Sequence, residues 1–290
     1  MIVIKAPRKF HDAVTKARSR RLSVGFVPTM GALHQGHLSL IRAARRENDR
    51  VAVSIFVNPP QFAEGEDFRK YPRSLEADLA LCRREKVDYV FTPDERSMYP
   101  EGYSTAVTVG GLSNVLCGIS RPGHFRGVAT VVTKLLQITS PERLYLGQKD
   151  AQQAVIIKRL VKDLHIPVAV RVLPIVREKD GLALSSRNRY LSVLERQDAR
   201  VLYEALVLAG RMIGAENIGD AGLVRRRVRR LIQRVVSARI DYVEIVDPDN
   251  LEPLKRVSGR CLVALAVWIG KTRLIDNMII KKGRVPSYYA

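Results

Sequence analysis

From residue 22 to residue 176, short apolar runs alternate with longer amphipathic stretches. That rhythm limits the fold more than any other feature of the chain. LSVGFVPT (22–29), VAVSIFVN (51–58), VDYVFTP (87–93), RLYLG (143–147) and VAVRVLPIV (168–176) have the length and composition of strands. VAVSIFVN is almost continuously apolar, as expected of a parallel strand covered on both faces. HLSLIRAARREN (37–48), SLEADLALCRREK (74–86), GVATVVTKLLQITS (127–140) and DAQQAVIIKRLVKDL (150–164) read as helices, the third by its length despite its β-branched residues. Strand–helix alternation predicts an α/β domain with a mostly parallel sheet. After residue 176 the pattern changes. Two helices (about 193–213 and 219–237) precede strands at IDYVEIVD (240–247), CLVALAVWI (261–269) and TRLIDNMII (272–280), which predicts a smaller α+β domain. The break is expected at REKDGLALSSRN (177–188), giving domains 1–176 and 177–290.

Composition matters here for what it disfavours. The 290 residues are 46% hydrophobic and 27% charged, enough for a core without staples. Cys82, Cys117 and Cys261 are scattered and odd in number, which argues against a disulfide framework and for a reducing cytoplasm. MIVIKAPRKF is too short and polar for a signal peptide, and CLVALAVWIG (261–270) is too short for a membrane helix. The formal charge of +20 would suit a polyanionic partner. Its densest patch is LVRRRVRRLIQRVV (223–236), where Leu223, Val224, Val228, Leu231, Ile232, Val235 and Val236 recur at helical spacing. The arginines are therefore expected on the outer face of an amphipathic helix, and no aromatic residues interleave with them for base stacking. A specific nucleic-acid partner is not expected.

The chemistry concentrates in GFVPTMGALHQGH (25–37), where a strand runs into a glycine turn and opens a helix. Ligands of open parallel sheets bind beyond the carboxyl ends of strands, and a helix N-terminus there suits a phosphate. Gly31 and Gly36 would let main chain approach the ligand. His34 and His37 stand about one helical turn apart and would donate to phosphate oxygens as charge builds in a transition state. A metal pair is disfavoured, because no cysteine or further histidine clusters nearby; a plain turn with a capping role stays open. GKT (270–272) is not a phosphate loop: Leu265 stands where its first glycine would be.

His34-Gln35-Gly36-His37 resembles the HIGH signature of nucleotidyltransferases, and LSSRN (184–188) the later serine-rich loop that such enzymes pair with it. The likeness sharpens over PTMGALHQGH (28–37), SIFVNPPQF (54–62), YPRSLEADL (71–79), RPGHFRGVATVVTKLLQI (121–138), GQKDAQQ (147–153), PIVREKDGLALSSRNRYL (174–191) and TRLIDN (272–277). Together, in this order, they resemble the pantoate–β-alanine ligase family over nearly the whole chain. A nucleotidyltransferase that stops at an adenylated product would lack the acid-binding glutamines of these strings.

The resemblance implies a Rossmann-like first domain and a two-step reaction. ATP adenylates the carboxylate of (R)-pantoate with loss of pyrophosphate, and the β-alanine amine then displaces AMP. It places Met30, Gly31, Ala32, Leu33, His34, Gln35, Gly36 and His37 at ATP, with His34, His37 and Lys149 as catalytic groups. Gly147, Gln148, Lys149, Asp150, Val176, Leu184, Ser185, Ser186 and Arg187 complete the nucleotide set; Gln148 replaces the family's Glu, and Leu184 its Met. Gln61 and Gln153, helped by Asn58, would hold pantoate and β-alanine, since an amide both donates and accepts. Arg121 and His124 belong to a matching string and are candidates to line the site. ATP implies Mg²⁺, for which Asp78 is the candidate ligand. EGEDFRKYP (64–72) is a candidate cover, and a homodimer is expected.

Overall fold

The computed structural model describes residues 1–62 and 68–284. Of the expected cover at 64–72, residues 64–67 lie outside the described residues. The chain divides into two compact units. The first comprises 1–114, 121–148 and 156–174; the second comprises 115–120, 149–155 and 175 onward. The sequence break expected at 176/177 thus falls two residues from a division at 174/175, and the second unit also takes up two short segments from earlier in the chain.

The elements run β1 (Ile2–Ile4), α1 (Pro7–Ser19), β2 (Val24–Thr29), α2 (Gln35–Glu47), β3 (Arg50–Ile55), α3 (Leu75–Arg84), β4 (Tyr89–Phe91), α4 (Glu95–Met98), α5 (Cys117–Ser120), α6 (His124–Thr139), β5 (Arg143–Gly147), α7 (Ala151–Asp163) and β6 (Ala169–Leu173). In the first unit the strands form one sheet, ordered β1-β4-β3-β2-β5-β6, with every pairing parallel. The apolar run in β3 is explained by burial: Val51, Ala52 and Val53 are all sealed from solvent. Val27, Val51, Val53 and Val90 of the strands pack with Leu38, Ile41 and Ala44 of α2. β1 and α1 had no counterpart in the sequence reading. β1 is a three-residue edge strand; α1 starts on Pro7 and buries Phe10, Val14 and Ala17 at helical spacing.

The winding direction of the sheet reverses between β2 and β5, and there the sheet splits. β2 pairs with β3 along its whole length, Val24↔Arg50 to Thr29↔Ile55, but with β5 only at Gly25↔Arg143 and Phe26↔Leu144. The carbonyl of Val24 accepts from Glu142 N–H on the β5 side. By the period of two, residue 28 faces that side as well. It is Pro28, which has no N–H to give, so the imino acid sits where pairing with β5 has stopped.

The second unit holds α8 (Val193–Asp198), α9 (Val201–Gly210), α10 (Ala221–Ile232) and an antiparallel sheet β7-β8-β9 (Ala238–Val246, Arg260–Ile269, Thr272–Lys281). Its core joins Leu202, Ala205 and Leu206 of α9, Val224, Val228 and Ile232 of α10, and the alternating Val263, Leu265 and Val267 of β8. The helix expected over 193–213 is two. Ser192 and Glu195 cap α8 reciprocally, and α9 starts anew at Val201. On α10, Arg226, Arg227 and Arg230 are exposed, opposite the buried valines. GKT is the tight turn of the β8–β9 hairpin, with Ile269 opposite Thr272.

Candidate active site

In the first unit, the segment after β2 is held by side chains rather than left open. Gly31 N–H donates to Thr29 Oγ1 at 3.1 Å. Ala32 and Leu33 N–H donate to the two carboxylate oxygens of Asp78, at 2.9 and 2.7 Å. Gly31 and Ala32 both have positive φ, +84° and +49°, a left-handed turn that needs such an anchor. The next donors go to the histidines. Gly36 N–H donates to His34 Nδ1 at 3.1 Å, and His34 N–H donates to His37 Nδ1 at 3.3 Å. The two residues form a reciprocal capping box at the start of α2. Gly36 is required by close approach: a Cβ there would stand 2.9 Å from His34 Cε1. Gly36 thus makes room for the His34 ring, and Gly31 for the Asp78 carboxylate.

This geometry fixes the tautomers. Nδ1 of each ring accepts a main-chain hydrogen, so in the neutral ring the proton sits on Nε2. The capping role, one of the alternatives left open by the sequence, is carried by Nδ1 of each ring.

A second cluster in this unit surrounds Gln61, at the end of the Pro59–Gln61 turn. Its amide oxygen accepts from Asn58 Nδ2 at 3.3 Å, and its amide nitrogen donates to Met30 Sδ. Asn58 is buried, donates also to the Gly127 carbonyl at 3.2 Å, and accepts from the Tyr99 hydroxyl. Burial pushes the Tyr99 phenol above its ordinary range, which keeps it a donor. Arg121 and His124 hold the Gln61 main chain. The Gln61 carbonyl accepts from His124 Nδ1 at 2.6 Å, while Arg121 Nη1 lies 3.1 Å from His124 Nε2. A carbonyl can only accept and a guanidinium can only donate, so His124 is neutral with its proton on Nδ1. Gly127 lets α6 touch this turn: a Cβ there would lie 2.3 Å from the Pro60 carbonyl oxygen.

In the second unit, Lys149 and Asp150 belong to a 3-10 turn, Gln148–Asp150, that follows Gly147 at the end of β5. Gln153 is half-buried in the first turn of α7. Val176 and Leu184 face each other, with Leu184 N–H donating to the Val176 carbonyl at 3.0 Å. Ser185 then caps a 3-10 turn over Ser186–Tyr190, accepting from Arg187 N–H. The nucleotide set expected from sequence is thus split: residues 30–37, 147 and 148 lie in the first unit, and 149, 150, 176 and 184–187 in the second. Gln61 and Asn58 lie in the first and Gln153 in the second.

Asp78 does not fit the part of a magnesium ligand: it is buried, and both its oxygens are engaged by the loop amides. Among the described residues, no group of three or more His, Cys, Asp or Glu is arranged to hold a metal. The anchoring roles of Thr29 and Asp78 were absent from the sequence reading. Asp78 does lie in one of the matching strings, SLEADL, which was the available signal. No helix among the described residues is long and apolar enough to cross a membrane.

Comparisons with known proteins show the family. A family model described as pantoate-beta-alanine ligase matches residues 2–279. A pantothenate synthetase from Moorella thermoacetica is 56% identical over 268 residues, covering 92% of this chain and 94% of that protein. Another from Thermodesulfovibrio yellowstonii is 52% identical, covering 97% of this chain and all of that one. Among solved structures, the pantothenate synthetase of Thermus thermophilus superimposes with a TM-score of 0.91 at 45% identity, over 96% of this chain and 99% of that one. A pantoate-beta-alanine ligase from Francisella tularensis, solved in complex with beta-gamma ATP and beta-alanine, gives 0.79 at 40% identity, over 96% and 97%. The chain belongs to the pantoate-beta-alanine ligase family and is an enzyme that condenses pantoate with β-alanine using ATP.

Proposed function

We propose that the condensation runs through a pantoyl adenylate made with the residues described above. A carboxylate oxygen of pantoate attacks the α-phosphorus of ATP, and the bond to pyrophosphate breaks. The β-alanine nitrogen then attacks the acyl carbon, the carbon–oxygen bond to AMP breaks, and the nitrogen gives up a proton. A carboxylate is a poor electrophile, and adenylation supplies the leaving group.

The observation that carries this reading is the pair of Nδ1-accepting imidazoles at the start of α2. Each ring keeps its proton on Nε2, a neutral donor for phosphate oxygens as pyrophosphate takes up charge. His37 and His34 take this role, Met30 to Leu33 carry the loop, and Lys149 neutralises spreading charge as an ammonium. Gly147, Gln148, Asp150, Val176, Leu184, Ser185, Ser186 and Arg187 are the further nucleotide contacts; a guanidinium and two hydroxyls suit phosphate oxygens. Gln61, oriented by Asn58, and Gln153 bind pantoate and β-alanine. The contact from the Gln61 amide to Met30 supports placing acid and nucleotide side by side.

Magnesium enters as the complex with ATP, because it keeps water and phosphate ligands and needs few from protein. The resemblance also supports a homodimer, read by sedimentation, and three free cysteines suit a reducing cytoplasm.

The test is pyrophosphate exchange into ATP and AMP release. Exchange is expected with pantoate alone, and AMP release only when β-alanine is added. His37→Ala should abolish most exchange and Gln153→Ala should raise the pantoate requirement. Exchange without pantoate, or two fully active variants, would overturn the assignment.

A further inference from the structure

TRLIDN (272–277) is one of the strings that carry the family resemblance, and its last two residues have no part in the chemistry above. Asp276 and Asn277 are neighbours on β9, and both are buried, at 2% and 4% exposure. Buried polar side chains in a core strand cost free energy unless they are bonded, so their partners indicate what they hold. The Asp276 carboxylate takes both terminal nitrogens of Arg177, at 2.6 and 3.0 Å. Arg177 donates in addition to the Gly181 carbonyl at 2.9 Å and lies over the Tyr203 ring. Burial raises the Asp276 carboxyl although Arg177 opposes the shift, which measures the cost of placing it there.

Arg177 follows Val176, and its backbone pairs with Ala183, next to Leu184. The ion pair therefore fixes the base of the hairpin that presents Val176 and Leu184 to Arg187. Asn277, one step along the strand, reaches a different segment: its Nδ2 donates to the main-chain carbonyl of Lys149 at 2.9 Å. That bond fixes the peptide plane after Lys149, and with it the point from which the Lys149 side chain starts. Two adjacent strand residues thus hold two separate pieces of chain, one at Lys149 and one at Arg177, on one rigid element.

We propose that Asp276 and Asn277 are positioning residues for adenylation, setting Lys149 and the Val176/Leu184–Arg187 hairpin in a common frame. The proposal rests on the reading of Lys149 and residues 184–187 as nucleotide contacts. Asn277 acts through Lys149, and Asp276 acts through Arg177.

The test is a double-mutant cycle read by pantoate-dependent pyrophosphate exchange. Asn277→Ala and Asn277→Leu, which keeps the size and loses the amide donor, should both lower the exchange rate by about 10–100-fold, the scale of a small misplacement of a catalytic group. The KM for pantoate should hold, and the rates are read at a temperature where each variant is folded. In a Lys149→Ala background, Asn277→Ala should add less than about twofold, as expected for residues acting in one chain of contacts. An unchanged rate in Asn277→Leu overturns the proposal, because volume alone is then enough. So does a full multiplicative loss in the Lys149→Ala background, which leaves the reading of Lys149 intact. If Lys149→Ala alone exchanges at the parental rate, both the proposal and the Lys149 assignment fall. Asp276→Asn, which keeps the shape of the pair, should raise the KM for ATP more than that for pantoate; equal changes would overturn the Asp276 half.

Discussion

The two regions that bear the expected nucleotide residues are held in opposite ways. The histidine segment is stitched locally. His34 and His37 cap each other three residues apart, Thr29 reaches Gly31, and the longest tether is Asp78, 46 positions from Ala32. The serine hairpin and Lys149 are held from a distance, by Asp276 across 99 positions and by Asn277 across 128. Local stitching sets the orientation of individual donors. Distant tethering sets where whole segments lie. Damage should therefore look different in the two regions, larger where a donor itself is lost in the first and smaller where a whole segment is displaced in the second.

The largest effect is expected at His37. His37→Ala removes a donor to developing charge and the acceptor for His34 N–H, and should lower exchange by about 10²–10³-fold, as when one oxyanion donor is lost. A loss under tenfold would break the contrast between the regions. Next comes Asp78→Ala, which strands two buried amide donors. Chemical denaturation should show a loss of about 1–3 kcal/mol for each stranded group, with a raised ATP requirement alongside. Stability lost with kinetics unchanged would mean that the turn does not set His34.

A smaller effect is expected at Gly127→Ala, whose new methyl would press on the Pro60 carbonyl. Overpacking of this kind costs about 1–3 kcal/mol, and the KM for pantoate should rise because Gln61 follows Pro60. If the ATP requirement rises instead, Gln61 is misassigned. The smallest effect is acid sensitivity of the second unit. Arg196 holds the Asp180 carboxyl below its ordinary value of 3.8. A depressed folded value contributes stability above the unfolded value and loses it as pH falls through the folded one. Melting scans between about pH 4 and pH 2 should therefore show less acid loss in Arg196→Met than in the parent, relative to each protein at neutral pH.

What the sequence disclosed follows the same division. The parallel sheet was legible because apolar runs announce buried strands, and the histidine pair was legible because capping and close approach act over a few residues. Asp78 stood out as a candidate magnesium ligand, yet its partners did not, since nothing in one sequence says which loop a carboxylate will meet. The inclusion of 115–120 in the second unit was equally hidden. It depends on contacts such as Cys117 with the Tyr242 hydroxyl, 125 residues away. β1 is too short to announce itself. α1 did carry a signal, in the spacing of Phe10, Val14 and Ala17 behind Pro7.

Pro28 has a consequence of its own. A ribbon that parts from one neighbour while staying bound to the other makes a fork, and a fork can be zipped. Any residue with an amide hydrogen at 28 could lend the next rung, so the imino acid works as a wedge. Replacing it with valine should yield a tighter, slower enzyme: amide exchange at Gly147, whose N–H faces β2, would slow and turnover would drop together. A molecule that gained protection there without losing speed would show that the wedge is idle.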